Sequence, residues 1–226
     1  MSVMKKPYPD CYRMGKLALR LAEQRDNKYF RLTVYQYFAT FYLHWCEPQA
    51  NALPYLERGF ELGQAGINPV ASGYCALALA TTRFALGTPM DELEGECQRG
   101  LKFLRNTRQP KIHDDLRYGV LLPARELRGD TLDDGEPDAA GYFGGDYRTP
   151  SIELAFHSSA MARNAYLLDD AASWTVHAHN LELICACLPD SPQTVETRFY
   201  LALGLLRADF AGDDAAQAEA NRLAAQ

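Results

Sequence analysis

Five prolines act as a ruler along this chain. Pro9, Pro48, Pro89, Pro150 and Pro192 each stand at or near the start of a helical pattern, and the successive gaps are 39, 41, 61 and 42 residues. At a first helical turn, the missing N–H and the fixed φ of proline cost nothing. The long gap holds an acidic, glycine-rich stretch over 130–149, and without those 20 residues it also measures 41. A period of about 40 is the length of a two-helix repeat. The spacing therefore predicts helix pairs stacked in series, with the acidic stretch as a loop insertion in a single domain over 1–226.

Hydrophobic periodicity fills in the helices. The first runs from about Asp10 to Glu23, with Met14, Leu17 and Leu21 as its expected inward stripe. The second, about Lys28 to Cys46, carries Phe30, Val34, Phe38, Phe41 and Trp45 at the same spacing. The third, about Gln49 to Gln64, turns Leu53, Leu56 and Phe60 inward. After the turn Gly66-Ile67-Asn68-Pro69, the fourth helix is apolar on nearly every side (Cys75 to Ala80) and should be buried between neighbours. Gly87-Thr88-Pro89 reads as C′ glycine, N-cap and N1 proline. The fifth helix, about Pro89 to Asn106, shows Leu93, Cys97, Leu101 and Leu104. The sixth, about Lys111 to Arg128, opens on a charged turn at His113-Asp114-Asp115 and should kink near Pro123. Further helices follow over about 150–168, from Asp169 or Asp170 to about Leu188, from Ser191-Pro192 to about Gly212, and over 213–225. This makes five pairs and an all-α chain.

Charge and cysteine content exclude several classes. The net charge is −6, and six carboxylates between Asp130 and Asp146 with no base account for all of it. A chain without a basic stripe is a poor partner for nucleic acid or an anionic membrane. No apolar run reaches the roughly 20 residues that span a bilayer. Met1 to Asp10 lacks the apolar core of a secretory signal, so the expected location is cytoplasmic. The six cysteines form no zinc spacing and read as reduced thiols, mostly buried. No cofactor or metal motif stands out.

Several stretches carry a family likeness: Tyr12-Arg13-Met14-Gly15-Lys16-Leu17-Ala18-Leu19-Arg20-Leu21, His44-Trp45 with Pro48 behind it, Leu56 to Gly63, Ala71-Ser72-Gly73-Tyr74, and Phe199-Tyr200-Leu201-Ala202-Leu203. Together they resemble the tetratricopeptide-like helical region of large bacterial signalling ATPases. Those multidomain proteins combine a Ser/Thr kinase-like domain, a STAND/AAA-type ATPase and a sensor histidine kinase. The resemblance implies a right-handed array of antiparallel helix pairs that binds another protein or signalling domain. The chain departs from that pattern at Gly66-Ile67, where the family has Gly-Asp. It contains no G-x-x-x-x-G-K-[ST] phosphate loop.

Two sets of residues are candidates for function. Tyr35, Tyr42 and His44 are edge candidates for a concave binding face, with Trp45 as a stacking surface. The plainer reading of His44-Trp45 is packing at a helix end. Glu153 and His157, four apart, share one helix face, as do His179 and Glu182, three apart on the next helix. Adjacent helices each offering a carboxylate and an imidazole are how bundles hold a di-metal centre. His177 is expected to point away from that face. The acidic stretch, with Asp130, Asp133, Asp134 and Glu136, lacks the order of an EF-hand loop. The first expectation is therefore a non-enzymatic interaction or regulatory module. The second is a small enzyme or small-molecule binder with an inter-helix cavity.

Overall fold

The computed structural model describes residues 8–130, 137–144, 151–178, 180–181, 185 and 191–207. Every regular element among them is a helix, as the periodicity predicts, and no helix is long and apolar enough to cross a membrane. The chain divides into two compact units, Met1–His113 and Asp114–Gln226. The predicted helix over 213–225 lies outside the described residues.

In the first unit, α1 (Tyr8–Gln24), α2 (Lys28–Tyr37), α3 (Leu53–Gln64), α4 (Pro69–Ala85) and α5 (Met90–Asn106) follow one another, each packed on the next, and α2 also meets α4. The caps explain the boundaries. Asn27 accepts the Phe30 amide at 2.9 Å to start α2, and Asn68 accepts the Ala71 amide at 3.2 Å to start α4. Gly87, at φ +73°, closes α4 in the left-handed conformation that glycine adopts without strain. Pro89 is itself the N-cap of α5, so Thr88 does not cap that helix.

The inward stripes on α3, α4 and α5 lie where the pattern puts them. Leu56, Phe60, Leu79, Leu93, Cys97, Leu101 and Leu104 are all buried. On α1 the expectation is reversed. Gly15, Leu19 and Ala22 face the core, while Met14, Leu17 and Leu21 stay 65%, 42% and 43% exposed. On α2 and the two turns that follow it the buried stripe is Leu32, Tyr35, Phe38, Ala39 and Leu43, and Phe30 is exposed. A wide π-turn over Phe38–Tyr42, then a 3-10 turn over Leu43–Trp45, changes the phase that a regular helix would keep. Of the cysteines, Cys75 and Cys97 are buried, Cys11 is half-buried and Cys46 is exposed.

Gly59 and Gly63 set the distance between α3 and α4. A Cβ on Gly59 would stand 2.6 Å from Cys75 Sγ, and one on Gly63 would stand 1.8 Å from Ser72 Oγ. The two glycines are four apart and so lie on one face, where bare backbone lets α4 approach. Ser72 turns its hydroxyl into this seam and donates to the Phe60 carbonyl at 3.2 Å.

The second unit is organised on α9 (Ile152–Leu167). Before it come α7 (Leu122–Arg128) and α8 (Ala139–Phe143); after it come α10 (Ala171–Ala178) and α11 (Pro192–Leu206). At the boundary, α6 (Pro110–Leu116) runs into a π-turn over Arg117–Leu121 ahead of α7, so the break expected near Pro123 is present. His113 and Asp115, part of the charged turn expected at the start of this helix, are buried, and the helix starts earlier, at Pro110. Ser151 caps α9, Asp170 caps α10 through the Ser173 amide at 3.0 Å, and Ser191 caps α11. The acidic stretch is not wholly irregular. Asp138 starts α8, whose Tyr142 stacks on Tyr118 at 4.1 Å. Residues 131–136 and 145–150 lie outside the described set.

The glycine seam makes a paired prediction. Gly63→Ala forces the methyl against Ser72 and should lower stability by about 2 kcal/mol. Gly95→Ala, in α5 with nothing within 4 Å of the added carbon, should raise stability by about 0.5–1 kcal/mol. Urea unfolding followed through Trp45, the tryptophan of this unit, reads both. Equal effects of the two substitutions would refute the packing account.

Candidate functional site

Two clefts open beside α3 in the first unit. One, of about 370 Å³, is lined by Lys16, Leu19, Arg20 and Glu23 of α1 and by Tyr55 of α3. The other, of about 260 Å³, is lined by Glu57, Phe60, Glu61 and Gln64 of α3, Arg83 of α4, and Glu96 and Arg99 of α5. At 3.6 residues per turn, Tyr55 falls on the opposite side of α3 from Glu57, Glu61 and Gln64. The helix thus divides the two clefts.

Each cleft has a charged network at its side. Glu47 accepts from the Tyr12 hydroxyl, pairs with Lys16 at 3.1 Å and accepts from Asn51 at 2.9 Å. The Tyr12 hydrogen bond holds the Glu47 carboxyl below its usual range and the Tyr12 phenol above its own. In the second cleft, buried Glu96 takes Arg83 at 2.8 Å and Arg99 at 2.6 Å, while Arg83 also reaches Glu57 at 2.7 Å. The Arg99 guanidinium lies over the Phe60 ring, 5.3 Å from its centroid.

Of the first set of sequence candidates, Tyr35 lies beneath the first cleft, while Tyr42, His44 and Trp45 are not among the residues lining either cleft. Tyr35 is only 3% exposed and is not an open edge. Its ring meets Tyr55 at 5.8 Å and its hydroxyl points to Glu23 at 3.5 Å, so it supports the cleft from below. Tyr42 is half-buried against the same core. Trp45 stacks on Tyr8 with ring centroids 4.0 Å apart, and His44 leans on Trp45 at 4.7 Å.

The second set lies in the other unit. Glu153 and His157 share a face of α9, as the spacing predicts, and that face is buried, with His157 at 1% exposure. His157 Nδ1 donates to the Tyr118 carbonyl at 2.9 Å, which fixes the tautomer. Its ring stacks on Phe143 at 5.1 Å. The imidazole that meets it is His177, edge-on at 5.4 Å, and not a residue pointing elsewhere. His179 and Glu182 lie outside the described residues. Among the described residues, no three His, Cys, Asp or Glu side chains come together as a metal-binding group.

A cavity of about 340 Å³ in this unit is lined by Leu122, Arg125, Glu126, Asp130, His157 and Met161, among others. Burial pushes the Glu126 carboxyl up, against the hydrogen bond it accepts from Asn164 at 2.6 Å. No family model, curated protein or solved structure matches the chain.

The two buried imidazoles make stability depend on pH. Burial drives His157 and His177 down to about 4, whereas an unfolded chain titrates them near 6.5. Between those values the unfolded state binds more protons, so stability falls as the pH falls through that window. From pH 7.5 to pH 5 the pair should cost on the order of 2–4 kcal/mol. Unfolding followed through Trp174, which is buried against Ala162 and Ala165, should show this loss. His177→Leu should roughly halve it; an unchanged slope would reject the assignment.

Proposed function

We propose that the chain is a helical-repeat interaction module that binds a segment of another protein along α1, α3 and α5. The observation that carries this reading is the pair of clefts on either side of α3. Helices packed in series, each on the next with α2 also on α4, suit an array of stacked pairs. Such arrays use one continuous face for binding. The family likeness points the same way, to a scaffold serving a signalling ATPase or a relative of one.

The clefts differ in charge, and this fits a partner segment of mixed sign. In the first, Lys16 is already paired with Glu47, so Arg20 is the cation offered to an acidic side chain there. Glu57, Glu61 and Glu96 outnumber Arg83 and Arg99 in the second, which favours a basic one. Complementary charge of this kind sets register and association rate more than raw affinity.

A photo-crosslinker placed at Arg58, exposed on α3 between the clefts, should capture the partner, and one at Lys102 on α5 should capture far less. Arg20→Glu and Glu61→Arg should each weaken capture about tenfold, roughly 1.4 kcal/mol, with the helical circular dichroism unchanged. Equal capture at both positions, or capture indifferent to both reversals, would remove the cleft reading.

A further inference from the structure

The cavity in the second unit is separate from the clefts beside α3 and is built differently. One whole stripe of α7 lines it: Leu122, Arg125, Glu126 and Gly129 follow at helical spacing. From α9 come His157 and Met161, four apart and so also on one face. α7 packs through its other side, where Pro123 and Ala124 are buried. Its lining stripe borders open space, and a Cβ on Gly129 would meet nothing within 4 Å. Glu126 is the fixed polar group of the wall. Its Oε2 accepts from Asn164 Nδ2 at 2.6 Å, and Asn164, itself fully buried, is held by a second bond to the Pro123 carbonyl at 2.7 Å.

That carboxylate has no counter-ion in its own unit. Among the described residues no cation pairs with Glu126; Asn164, a neutral donor, is its hydrogen-bond partner. Burial raises its pKa, Asp170 adds to the rise, and Arg163, which opposes it, already holds Glu196 at 3.0 Å. Arg125 stands about 100° from Glu126 around the helix. His157 adds no positive charge, because burial holds it down to about 4. Asp130, the other carboxylate of the lining, is taken by Arg128. A carboxylate partly withdrawn from water without an opposite charge is costly, and a cation that reaches it recovers that cost. We propose that this cavity binds a small organic amine, with the ammonium group on the Glu126 carboxylate and the apolar body against Leu122 and Met161. Size agrees. At ~30 Å³ per water, the 340 Å³ cavity holds about eleven waters or an organic molecule of about ten non-hydrogen atoms, and it falls within the ~300–1,000 Å³ of small-molecule sites. A divalent metal ion is a poorer match, since it would take several ligands and no three His, Cys, Asp or Glu side chains come together among the described residues.

Calorimetric titration of the full chain with phenethylamine tests the proposal, with phenethyl alcohol and hydrocinnamate as its neutral and anionic counterparts. The amine should bind with a Kd on the order of 0.1 mM, the alcohol about tenfold more weakly, and hydrocinnamate not at all. Glu126→Gln, which keeps an oxygen for Asn164, should weaken the amine about tenfold and leave the alcohol unchanged. Met161→Trp should fill the cavity and abolish binding of both. Arg20→Glu, in the first unit, should alter none of these, which separates the site from the clefts beside α3. If circular dichroism shows that Met161→Trp fails to fold, Glu126→Gln carries the test alone. The proposal is overturned by an amine that does not bind at ~10 mM, by an alcohol or hydrocinnamate that binds as tightly as the amine, by amine affinity indifferent to Glu126→Gln, or by a folded Met161→Trp that still binds.

Discussion

The close approach of α3 to α4 governs the first unit. Gly59 and Gly63 present backbone where any side chain would strike Cys75 or Ser72. With α4 drawn in, its apolar run from Cys75 to Ala80 is sealed on every side. Burial of that run contributes through dispersion as well as water release, because so many atoms are in contact at once. α3 sits with its small residues against α4, and its longer side chains are displaced to the flanks. Tyr55 goes to one flank and the Glu57–Gln64 set to the other. The clefts are a geometric consequence of the seam.

Residue patterns revealed some of this and concealed the rest for identifiable reasons. Large side chains at helical spacing placed the cores of α3, α4 and α5 correctly, and turn residues such as Asn68 and Gly87 placed their ends. α1 defeats the same method because its core face is Gly15, Leu19 and Ala22. A Cβ on Gly15 would stand 2.6 Å from the Phe38 ring. Counting hydrophobic bulk selects Met14, Leu17 and Leu21, yet a neighbour as large as Phe38 requires the smallest residue opposite it. In α2, no periodic count anticipates the π-turn, since one extra residue in the turn rotates all that follows.

The candidate sites were legible to different depths. Glu153 and His157 do share a face, which the four-residue interval alone guarantees. The expectation that His177 points away fails because helix phase depends on the helix start. α10, capped at Asp170, turns His177 to α9. The Glu96 network with Arg83 and Arg99 was missed altogether. Its members come from two helices and are separated by up to 16 positions, and only Glu96 and Arg99 have a local spacing that hints at contact. A buried carboxylate between two guanidiniums satisfies itself, and nothing in a linear pattern marks such closure.

The charged groups around the clefts bear on which kind of function suits them. A general acid or base works best with its pKa near the operating pH. Glu47 is pushed the other way by the hydrogen bond from Tyr12, so it stays a carboxylate, and it already holds Tyr12, Lys16 and Asn51. The His157–His177 pair is displaced in the same unhelpful sense, to about 4, where imidazoles remain neutral through the physiological range. Groups fixed in one protonation state hold a shape constant and do not move protons. In the proposed binding reading, the carboxylate of Glu47, held by Tyr12, Lys16 and Asn51, gives the side of the α1–α3 cleft a constant charge and shape.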